Sequence, residues 1–289
     1  MLFKNFVDDF LQVSADNGNS PGELAQKQMA IYNHLVPFFG DMDMEALGIP
    51  EVRAYKKEKL AEGYAPKTIN NHLIIFSRFL STAREERKLR APKFSVSRIA
   101  IASEEARYLS DTEIKRFLSA ARLLEEEGTH WAAMVAVAMN TGLRIGELLA
   151  LDWKQVNLQA RKLSVTASLC RQTGERKTVK NGQSRDVAIN KTAAVALVGL
   201  PHRQGRVFDV TYSQAYVAIN RIANAAKLDD VGWHTLRHSF ASLLAVEGVP
   251  LFTISRLLGH KSMRMTERYA HLNDEKNKDA VAVLAAVMG

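Results

Sequence analysis

The stretch Thr141-Gly142-Leu143-Arg144-Ile145-Gly146-Glu147-Leu148 follows an apolar segment, residues 131–140, that predicts a buried helix. Its Gly-containing turn is followed by Arg144, which is placed to begin a second helix. Glu147 lies three residues later, at the spacing of an ion pair on one helical face. On this stretch alone, Arg144 is most simply interpreted as an ordinary surface arginine at a helix start.

The sequence around this stretch predicts a mainly helical domain with a small amount of β-structure. Ser110-Asp111-Thr112-Glu113 has the spacing of a capping box and predicts a helix that runs to about residue 127. Residues 162–166 alternate as a strand does, and Lys180-Asn181-Gly182-Gln183 separates two further strand-like runs, 176–179 and 184–189. Because Asn-Gly favours a tight turn, these two runs predict a β-hairpin with Lys180 at its tip. Further helices are predicted at 213–226, 235–247, 250–258, around 264–269, and at 274–287.

The first 89 residues predict a four-helix domain. Phe3, Phe6 and Phe10 recur at helical spacing, and a second helix is predicted over residues 24–39. Val52, Tyr55 and Leu60 indicate a third helix, and a fourth begins near Pro66. Residues 90–105 contain arginine, lysine and proline with little periodicity, which predicts a basic linker to a second domain at 106–289.

The composition is that of a globular protein with an excess of positive charge. The chain has 289 residues, with 39 Lys plus Arg against 31 Asp plus Glu, a formal net charge of +8. Such an excess favours a polyanionic partner such as nucleic acid. The single cysteine, Cys170, excludes a disulfide framework. The start of the chain lacks a signal-peptide pattern, and the most apolar runs are shorter than the roughly 20 residues that span a bilayer. A cytoplasmic protein without membrane contact is therefore expected.

Four short stretches of the second domain concentrate reactive residue types: residues 141–148, Lys180-Asn181-Gly182, His234-Thr235-Leu236-Arg237-His238, and Leu257-Leu258-Gly259-His260 followed by Thr266-Glu267-Arg268-Tyr269. Each has an ordinary interpretation when it is taken alone. Lys180 could be a solvated turn residue, and Tyr269 a buried aromatic side chain. His234 and His238 have the spacing of two metal ligands on a helix, but the usual glutamate is absent and Arg237 disfavours a cation. Such a group of cations suits a phosphate better than a protein core.

Together and in this order, the four stretches resemble the tyrosine recombinase (phage integrase) family across residues 106–289. Thr68-Ile69-Asn70-Asn71-His72-Leu73 resembles, more loosely, the core-type DNA-binding domain of that family. The resemblance implies an N-terminal four-helix, SAM-like core-binding domain and a C-terminal catalytic domain that is mainly α with a small β-sheet. It also implies a site-specific recombinase that cuts and rejoins DNA through a 3′-phosphotyrosine, without metal, ATP or other cofactor.

The resemblance assigns catalytic roles to six residues: Arg144, Lys180, His234, Arg237, His260 and Tyr269. Tyr269 is the expected nucleophile, and Lys180 the expected general acid. The two arginines suit the non-bridging phosphate oxygens because each is a planar, permanently charged fork. Either histidine could donate to the phosphate or relay a proton, and His234 is the preferred base. Glu147 is expected to orient the site, and His238 to be a structural hydrogen-bonding residue.

Double-stranded DNA is the expected partner. Residues that are candidate DNA contacts, each equally well interpreted as part of a solvated face, are Lys67, Thr68, Asn70, Arg78, Arg84, Arg87, Lys93 and Arg98. Family members act as tetramers on two DNA sites, and the resemblance implies that the last helix is exchanged between subunits. That helix, with Val281, Val283, Leu284 and Val287, could equally cover its own core. Accessory DNA-bending proteins are further candidate partners, and no room is expected before the first domain for an arm-site-binding domain.

Three other functions fit parts of the pattern. An enzyme similar to type IB topoisomerases would use the same chemistry to relax supercoils without strand exchange. A sequence-specific DNA-binding regulator would carry an idle site, which the complete catalytic set disfavours. A metal-dependent nuclease is disfavoured because Asp and Glu do not cluster at ligand spacing.

Overall fold

The computed structural model describes residues 1–87, 89, 96–101, 107–125, 129–178 and 184–273. The chain divides into two compact units, Met1–Glu104 and Glu105–Gly289. The domain limits expected at residues 89 and 106 stay predictions, because most of the stretch between them lies outside the described residues. Within the described part of the chain, no helix is both long and apolar enough to cross a membrane.

The first unit is helical, as predicted. Its elements are a 3-10 turn, Phe3–Phe6, and the helices α1 (Val7–Asp16), α2 (Pro21–Ala30), α3 (Val36–Phe39), α4 (Ile49–Ala61) and α5 (Pro66–Arg87). A π-helical turn, Ile31–Leu35, joins α2 to α3, so the two form one continuous rod. Pro37 has no N–H for an α-helical bond, and the π turn accommodates this loss. Four rods result, in agreement with the predicted four-helix domain.

Two details of this unit differ from the prediction. The second helix begins at Pro21 rather than residue 24, because Ser20 and Glu23 form a capping box in which each side chain accepts the other's backbone N–H. Leu60, expected on the apolar face of α4, is 46% exposed. That helix is instead buried through Val52 and Tyr55.

The core of the first unit is aromatic. Phe3 stacks on Phe79 of α5 with ring centroids 4.0 Å apart, and Phe39 lies 4.5 Å from Phe76 by the same measure. All four rings are fully buried. Burial of such large side chains, at about 1.5–3 kcal/mol each, stabilises helices that would be marginal alone. The core fixes α5, which carries most of the candidate DNA contacts.

The second unit is built around one buried helix. Its helices are α6 (Asp111–Leu123), α7 (Trp131–Thr141), α8 (Ile145–Leu149), α9 (Lys191–Val198), α10 (Tyr212–Ala225), α11 (Trp233–Val246) and α12 (Leu251–Leu258), followed by the 3-10 turns Met263–Met265 and Glu267–Asn273. Residues of α7 are buried on nearly every side, as its apolar sequence predicts. The Ser110 capping box is present, but α6 ends at Leu123, and α9 was not predicted. The predicted helix 274–287 lies outside the described residues.

The strands pair differently from the predicted hairpin. The strands are β1 (Val156–Asn157), β2 (Lys162–Val165), β3 (Ala167–Leu169), β4 (Arg176–Thr178) and β5 (Arg185–Ala188). They form two antiparallel sheets, ordered β1-β2-β5 and β3-β4, so β4 and β5 belong to different sheets.

The turn signal at Asn181-Gly182 therefore misplaced the hairpin. The observed hairpin joins β3 to β4 through residues 170–175, where Cys170 N–H donates to the Glu175 carbonyl oxygen at 2.8 Å. Gly174 adopts a φ of 68°, which a turn glycine allows. The register brings Leu163, Val165 and Val187 into the core together, and that burial decides the pairing. Residues 179–183, which include Lys180, connect β4 to β5 and lie outside the described residues.

Candidate active site

A left-handed glycine places Arg144. Helix α7 ends at Gly142, whose φ is 63°, and a Cβ at this position would lie 2.5 Å from Cδ1 of Phe240. Only glycine fits both the backbone conformation and the space. The chain then turns so that Arg144 becomes the N-terminal cap of α8. The guanidinium group remains partly exposed, with 39% of the side chain accessible.

Arg237, on α11, links the ends of two helices. Its Nη1 donates to the Gly142 carbonyl oxygen at 2.6 Å, at the end of α7, and its Nη2 donates to the Leu258 carbonyl oxygen at 2.8 Å, at the end of α12. The last carbonyls of a helix have no partner within it and carry partial negative charge, so a guanidinium group satisfies them well. Burial, together with the charge of Arg144, lowers the pKa of Arg237 to about 9, which leaves it charged at neutral pH.

Glu147 lies between two arginines beneath the site. Its carboxylate receives hydrogen bonds from Nη1 and Nη2 of Arg185 at 3.0 and 2.7 Å, and from Nη1 of Arg144 at 3.0 Å. Burial by itself raises the pKa of Glu147, but the hydrogen bonds and charge of Arg185 outweigh it and hold the pKa below its ordinary value. Arg185 also donates from Nε to the Leu257 carbonyl oxygen at 3.3 Å. Arg185 therefore connects β5, α8 and the end of α12.

We expect Arg185→Met to destabilise the second unit strongly. The variant would leave the Glu147 carboxylate, 4% exposed, without its bidentate partner, and breaking such a buried pair costs about 3–5 kcal/mol. Folding depresses the pKa of Glu147 below its ordinary value of 4.5. The stability that the ionised carboxylate contributes is therefore present above pH 4.5 and is lost as the pH falls through the pKa of the folded protein. The variant should therefore lose stability at neutral pH and show a flatter decline in acid. Urea unfolding across an acid-to-neutral pH series measures both effects.

The exposed pair between Lys162 and Asp186 on the same sheet provides the control. Its two side chains are 50% and 53% exposed. Lys162→Met should cost less than about 1 kcal/mol, because solvent screens such pairs. Equal losses in the two variants would contradict a structural role for the buried pair.

The three histidines of the motifs differ in their surroundings. His234 is exposed on α11, and its ring meets that of His238 edge to face, with centroids 4.5 Å apart. His260 follows Gly259 and is held by a 2.7 Å hydrogen bond between Nδ1 and the Thr266 hydroxyl. Desolvation and the neighbouring arginines lower the pKa of His234, and lower that of His260 to about 4. Both rings are therefore neutral at neutral pH until an anion approaches.

Tyr269 is buried at the edge of the pocket. It is 2% exposed and packs with Ala241, Ile254 and Leu258. Its hydroxyl lies 2.5 Å from Nδ1 of His238. Burial raises the pKa of Tyr269, against the opposing effect of Arg268 and Arg237, so the phenol is protonated at neutral pH.

These side chains line one cavity of about 350 Å³. The lining residues are Arg144, His234, Arg237, His238, His260, Ser262, Arg264, Met265, Arg268 and Tyr269. The structure thus brings together five of the six predicted catalytic residues, and Lys180 lies outside the described residues. Among the described residues, no group of three or more His, Cys, Asp or Glu could hold a metal ion. A pocket lined by cations, with a tyrosine hydroxyl at its edge, suits a phosphodiester and transfer of the phosphate to tyrosine.

Three residues important to this site were missed in the sequence. Arg185 was one, although its place on β5 in phase with buried Val187 is a usable signal, because an inward arginine requires a carboxylate partner. Arg264 and Arg268 line the pocket and were given no role, although Arg268 belongs to the stretch quoted with Tyr269. Both are exposed residues in the segment that carries Tyr269. They add positive charge on the nucleophile's side.

The predicted DNA contacts of the first unit fall into two groups. Lys67, Arg78 and Arg98 are exposed, and the last two line a groove of about 320 Å³ beside α5. Asn70, in contrast, is 7% exposed, and its side-chain amide donates to the Ile99 carbonyl oxygen at 2.9 Å and accepts the Ile99 N–H at 2.8 Å. Asn70 therefore uses its side-chain amide to hold the segment around Ile99 against α5, and that amide is not available to DNA.

The other predicted contacts are less available or undescribed. Arg87 forms an ion pair with Asp9, Thr68 is half-buried, and Arg84 has interactions of its own within the protein. Lys93 lies outside the described residues. The groove beside α5 is therefore the part of this unit that best fits a phosphate backbone.

Comparison with known sequences finds relatives over most of the chain. Residues 107–276 match the phage integrase family. The ICEBs1 integrase of Bacillus subtilis is 27% identical over 96% of this chain and 81% of its own length. The tyrosine recombinase XerA of Saccharolobus solfataricus is 26% identical over 71% of this chain and 63% of its own, and the integrase of Salmonella phage P22 is 28% identical over 72% and 54%.

Solved structures share the fold of both units. The Tn1549 transposon integrase in complex with transposon right end DNA matches with a TM-score of 0.82 and 18% identity, over 98% of this chain and all of that chain. A lambda integrase dimer bound to a COC′ core site matches with a TM-score of 0.67 and 17% identity, over 92% and 97%. At these identities the likeness shows the fold.

Proposed function

The chain belongs to the phage integrase family of tyrosine recombinases, and on this premise we propose that Tyr269 cuts and rejoins DNA through a 3′-phosphotyrosine. As a member of this family, it is a site-specific recombinase. The observation that carries the residue assignment is the single cavity in which Tyr269 lies with Arg144, Arg237 and His260. Neither a DNA-relaxing enzyme nor an idle regulator is favoured, since the relatives are integrases and recombinases.

The arginines and the histidines of the pocket have different tasks in this proposal. Arg144 and Arg237 hold the non-bridging oxygens of the scissile phosphate, where charge develops as the reaction proceeds. Their anchoring by Glu147 and by the helix ends means that they need not reorganise when the phosphate arrives. His234 and His260 donate further hydrogen bonds to the phosphate.

Cleavage forms the bond between the Tyr269 oxygen and phosphorus as the bond from phosphorus to the 5′-oxygen breaks. Lys180 is our candidate for the acid that protonates that leaving oxygen. The energy of the phosphodiester is retained in the phosphotyrosine, so a second 5′-hydroxyl can attack and rejoin the strand without ATP. The cations of the pocket carry out the charge stabilisation that Mg²⁺ provides in other phosphoryl-transfer enzymes.

Covalent trapping on DNA tests this proposal. The protein is incubated with fragmented genomic DNA, denatured, and the DNA attached to it is sequenced to define a site. Two copies of that site on a plasmid should then yield exchanged products. Plasmid relaxation without exchange would favour the topoisomerase alternative, and the absence of any covalent attachment would overturn the proposal.

The groove beside α5 is our candidate for part of the DNA-binding surface, and a salt titration tests it. Arg78→Gln and Arg98→Gln should each weaken binding and reduce the slope of log affinity against log salt by about 1, the effect of losing one phosphate contact. Arg87→Gln is the matched control, because that arginine is already paired with Asp9. An unchanged slope in the two groove variants would contradict the assignment.

We propose the same assembly that the resemblance implies. Four copies would act on two double-stranded DNA sites, with residues 274–289 exchanged between subunits and accessory DNA-bending proteins as further partners. The apolar residues Val281, Leu284 and Val287 support such docking, because apolar side chains in one segment are stabilised by burial against another surface. We also propose that the protein acts in the cytoplasm, where a DNA substrate would be found.

A further inference from the structure

The hydroxyl of Tyr269 contacts a histidine that the sequence did not single out for chemistry. Its oxygen lies 2.5 Å from Nδ1 of His238, with the two ring centroids 5.9 Å apart. Within the described part of the chain, this hydroxyl makes no hydrogen bond to His234 or His260. His234, the expected base, is therefore not the histidine that contacts the hydroxyl of the nucleophile.

The other two histidines are placed for different tasks. His260 already uses Nδ1 on the Thr266 hydroxyl, at 2.7 Å, so only its Nε2 can face a substrate. His234 is exposed at the mouth of the cavity, and its ring contacts His238 edge to face. Both positions suit donation to a phosphate oxygen. His238 alone of the three is within hydrogen-bonding distance of the reacting oxygen.

We propose that His238 is the general base, whose Nδ1 takes the phenolic proton of Tyr269 as that oxygen attacks the phosphate. The inference rests on the function proposed above and assigns one residue within it. In cleavage, the O–H bond of Tyr269 breaks, the proton moves to His238, and the O–P bond forms as the bond to the 5′-oxygen breaks, with the proposed acid Lys180 giving that oxygen its proton. In rejoining, a 5′-hydroxyl attacks phosphorus and loses its proton to Lys180, and His238 returns its proton to the departing tyrosine oxygen. Protons and electron pairs balance over the cycle.

The charges around His238 connect this step to substrate binding. His234 and Arg237 lie on its own helix, Arg268 on the 3-10 turn of Tyr269, and His260 after α12. Burial and these groups lower the pKa of His238 to about 4, so the ring is neutral and can accept a hydrogen bond. A bound phosphodiester adds a negative charge that offsets the arginines and raises this pKa again. His238 thus becomes an effective base only when the phosphate is in place.

A substrate with sulfur at the leaving position isolates the base from the acid. The DNA carries a 5′-bridging sulfur at the cleaved phosphate of the site found by trapping, and a thiolate leaves without needing a proton. His238→Asn keeps an acceptor near the position of Nδ1 but cannot take a proton. Single-turnover attachment of this variant should slow by about 100-fold or more on the sulfur DNA. Wild-type speed would overturn the inference.

The pH dependence distinguishes a base from a structural residue. The wild-type rate on sulfur DNA should level off above the pKa of His238 in the complex. The His238→Asn rate should keep rising into alkaline pH, because the phenol must then ionise by itself. The matched variant His234→Asn should be slower but keep the wild-type profile. Loss of the plateau in His234→Asn, with its retention in His238→Asn, would assign the base to His234.

A third measurement needs no variant. On sulfur DNA, the proton moving from Tyr269 to His238 is the only one transferred, so wild-type cleavage should slow in D2O. Equal rates in H2O and D2O would overturn the inference even if His238→Asn does not fold. Covalent attachment by the wild-type protein is the reference throughout. Its absence would refute the proposed function, whereas its presence with an unimpaired His238→Asn would refute this inference alone.

Discussion

Tyr269→Phe should form no covalent complex with DNA and yet bind DNA nearly as well as the wild-type protein. The variant removes the oxygen that forms the bond to phosphorus, so attachment should be lost, a fall of at least about 10³-fold in the assay. Phenylalanine retains the buried ring that packs with Ile254 and Leu258. The loss of one hydrogen bond to His238 should cost only about 1 kcal/mol.

Denaturing gels of the protein on labelled site DNA measure attachment, and mobility shifts measure binding. Tyr212→Phe is a suitable comparison, because Tyr212 is a partly buried tyrosine of the same unit that does not line the cavity of Tyr269. It should attach DNA normally. A Tyr269→Phe protein that still cleaves would remove the nucleophile assignment.

Arg237→Lys should lose both activity and stability. A lysine keeps the charge but presents a single ammonium group, which cannot reach the Gly142 carbonyl, the Leu258 carbonyl and a phosphate together. Each buried carbonyl left without a donor costs about 1–3 kcal/mol. Cleavage should fall by about 10³-fold, the size of effect that an arginine has when it stabilises the transition state of phosphoryl transfer. Thermal unfolding and single-turnover cleavage measure the two losses.

Arg144→Lys separates the two effects. Arg144 is 39% exposed, and its guanidinium group binds Glu147 alone among the residues that the structure describes; Glu147 keeps Arg185 in the variant. Its cleavage should fall while its unfolding temperature changes little. If Arg237→Lys proved as stable as Arg144→Lys, the two carbonyl contacts would not have the structural importance given to them here.

Much of the site could be predicted because its residue types occur in short motifs whose order resembles that of the phage integrase family. The arginines, His260 and Tyr269 were identified from their motifs, and the structure places them in one cavity. What the motifs could not predict is which side chain contacts which. His238 and His234 lie one helical turn apart, and only the packing of the segment after α12 decides that Tyr269 meets His238.

The fold was predictable where one element decides its own structure. The capping box at Ser110 and the apolar run of α7 are local signals, and both were correct. Strand pairing is not local, and the Asn-Gly turn signal was wrong because burial of Leu163 and Val165 against Val187 set another register. Arg185 was missed for the same reason, since its partner Glu147 is 38 residues away in the sequence.

The strand pairing has a consequence for the proposed acid, Lys180. Thr178 and Arg185 pair with Ala167 and Val165, two positions apart on one chain segment, so the connection that carries Lys180 begins and ends at neighbouring anchors. If Lys180 is the acid, a longer connection lowers the local concentration of its amine at the phosphate only slowly, because loop-closure entropy depends on the logarithm of length. Insertion of one or two residues there should therefore lower the rate of strand cleavage only modestly while Arg144, Arg237 and Tyr269 stay where they are.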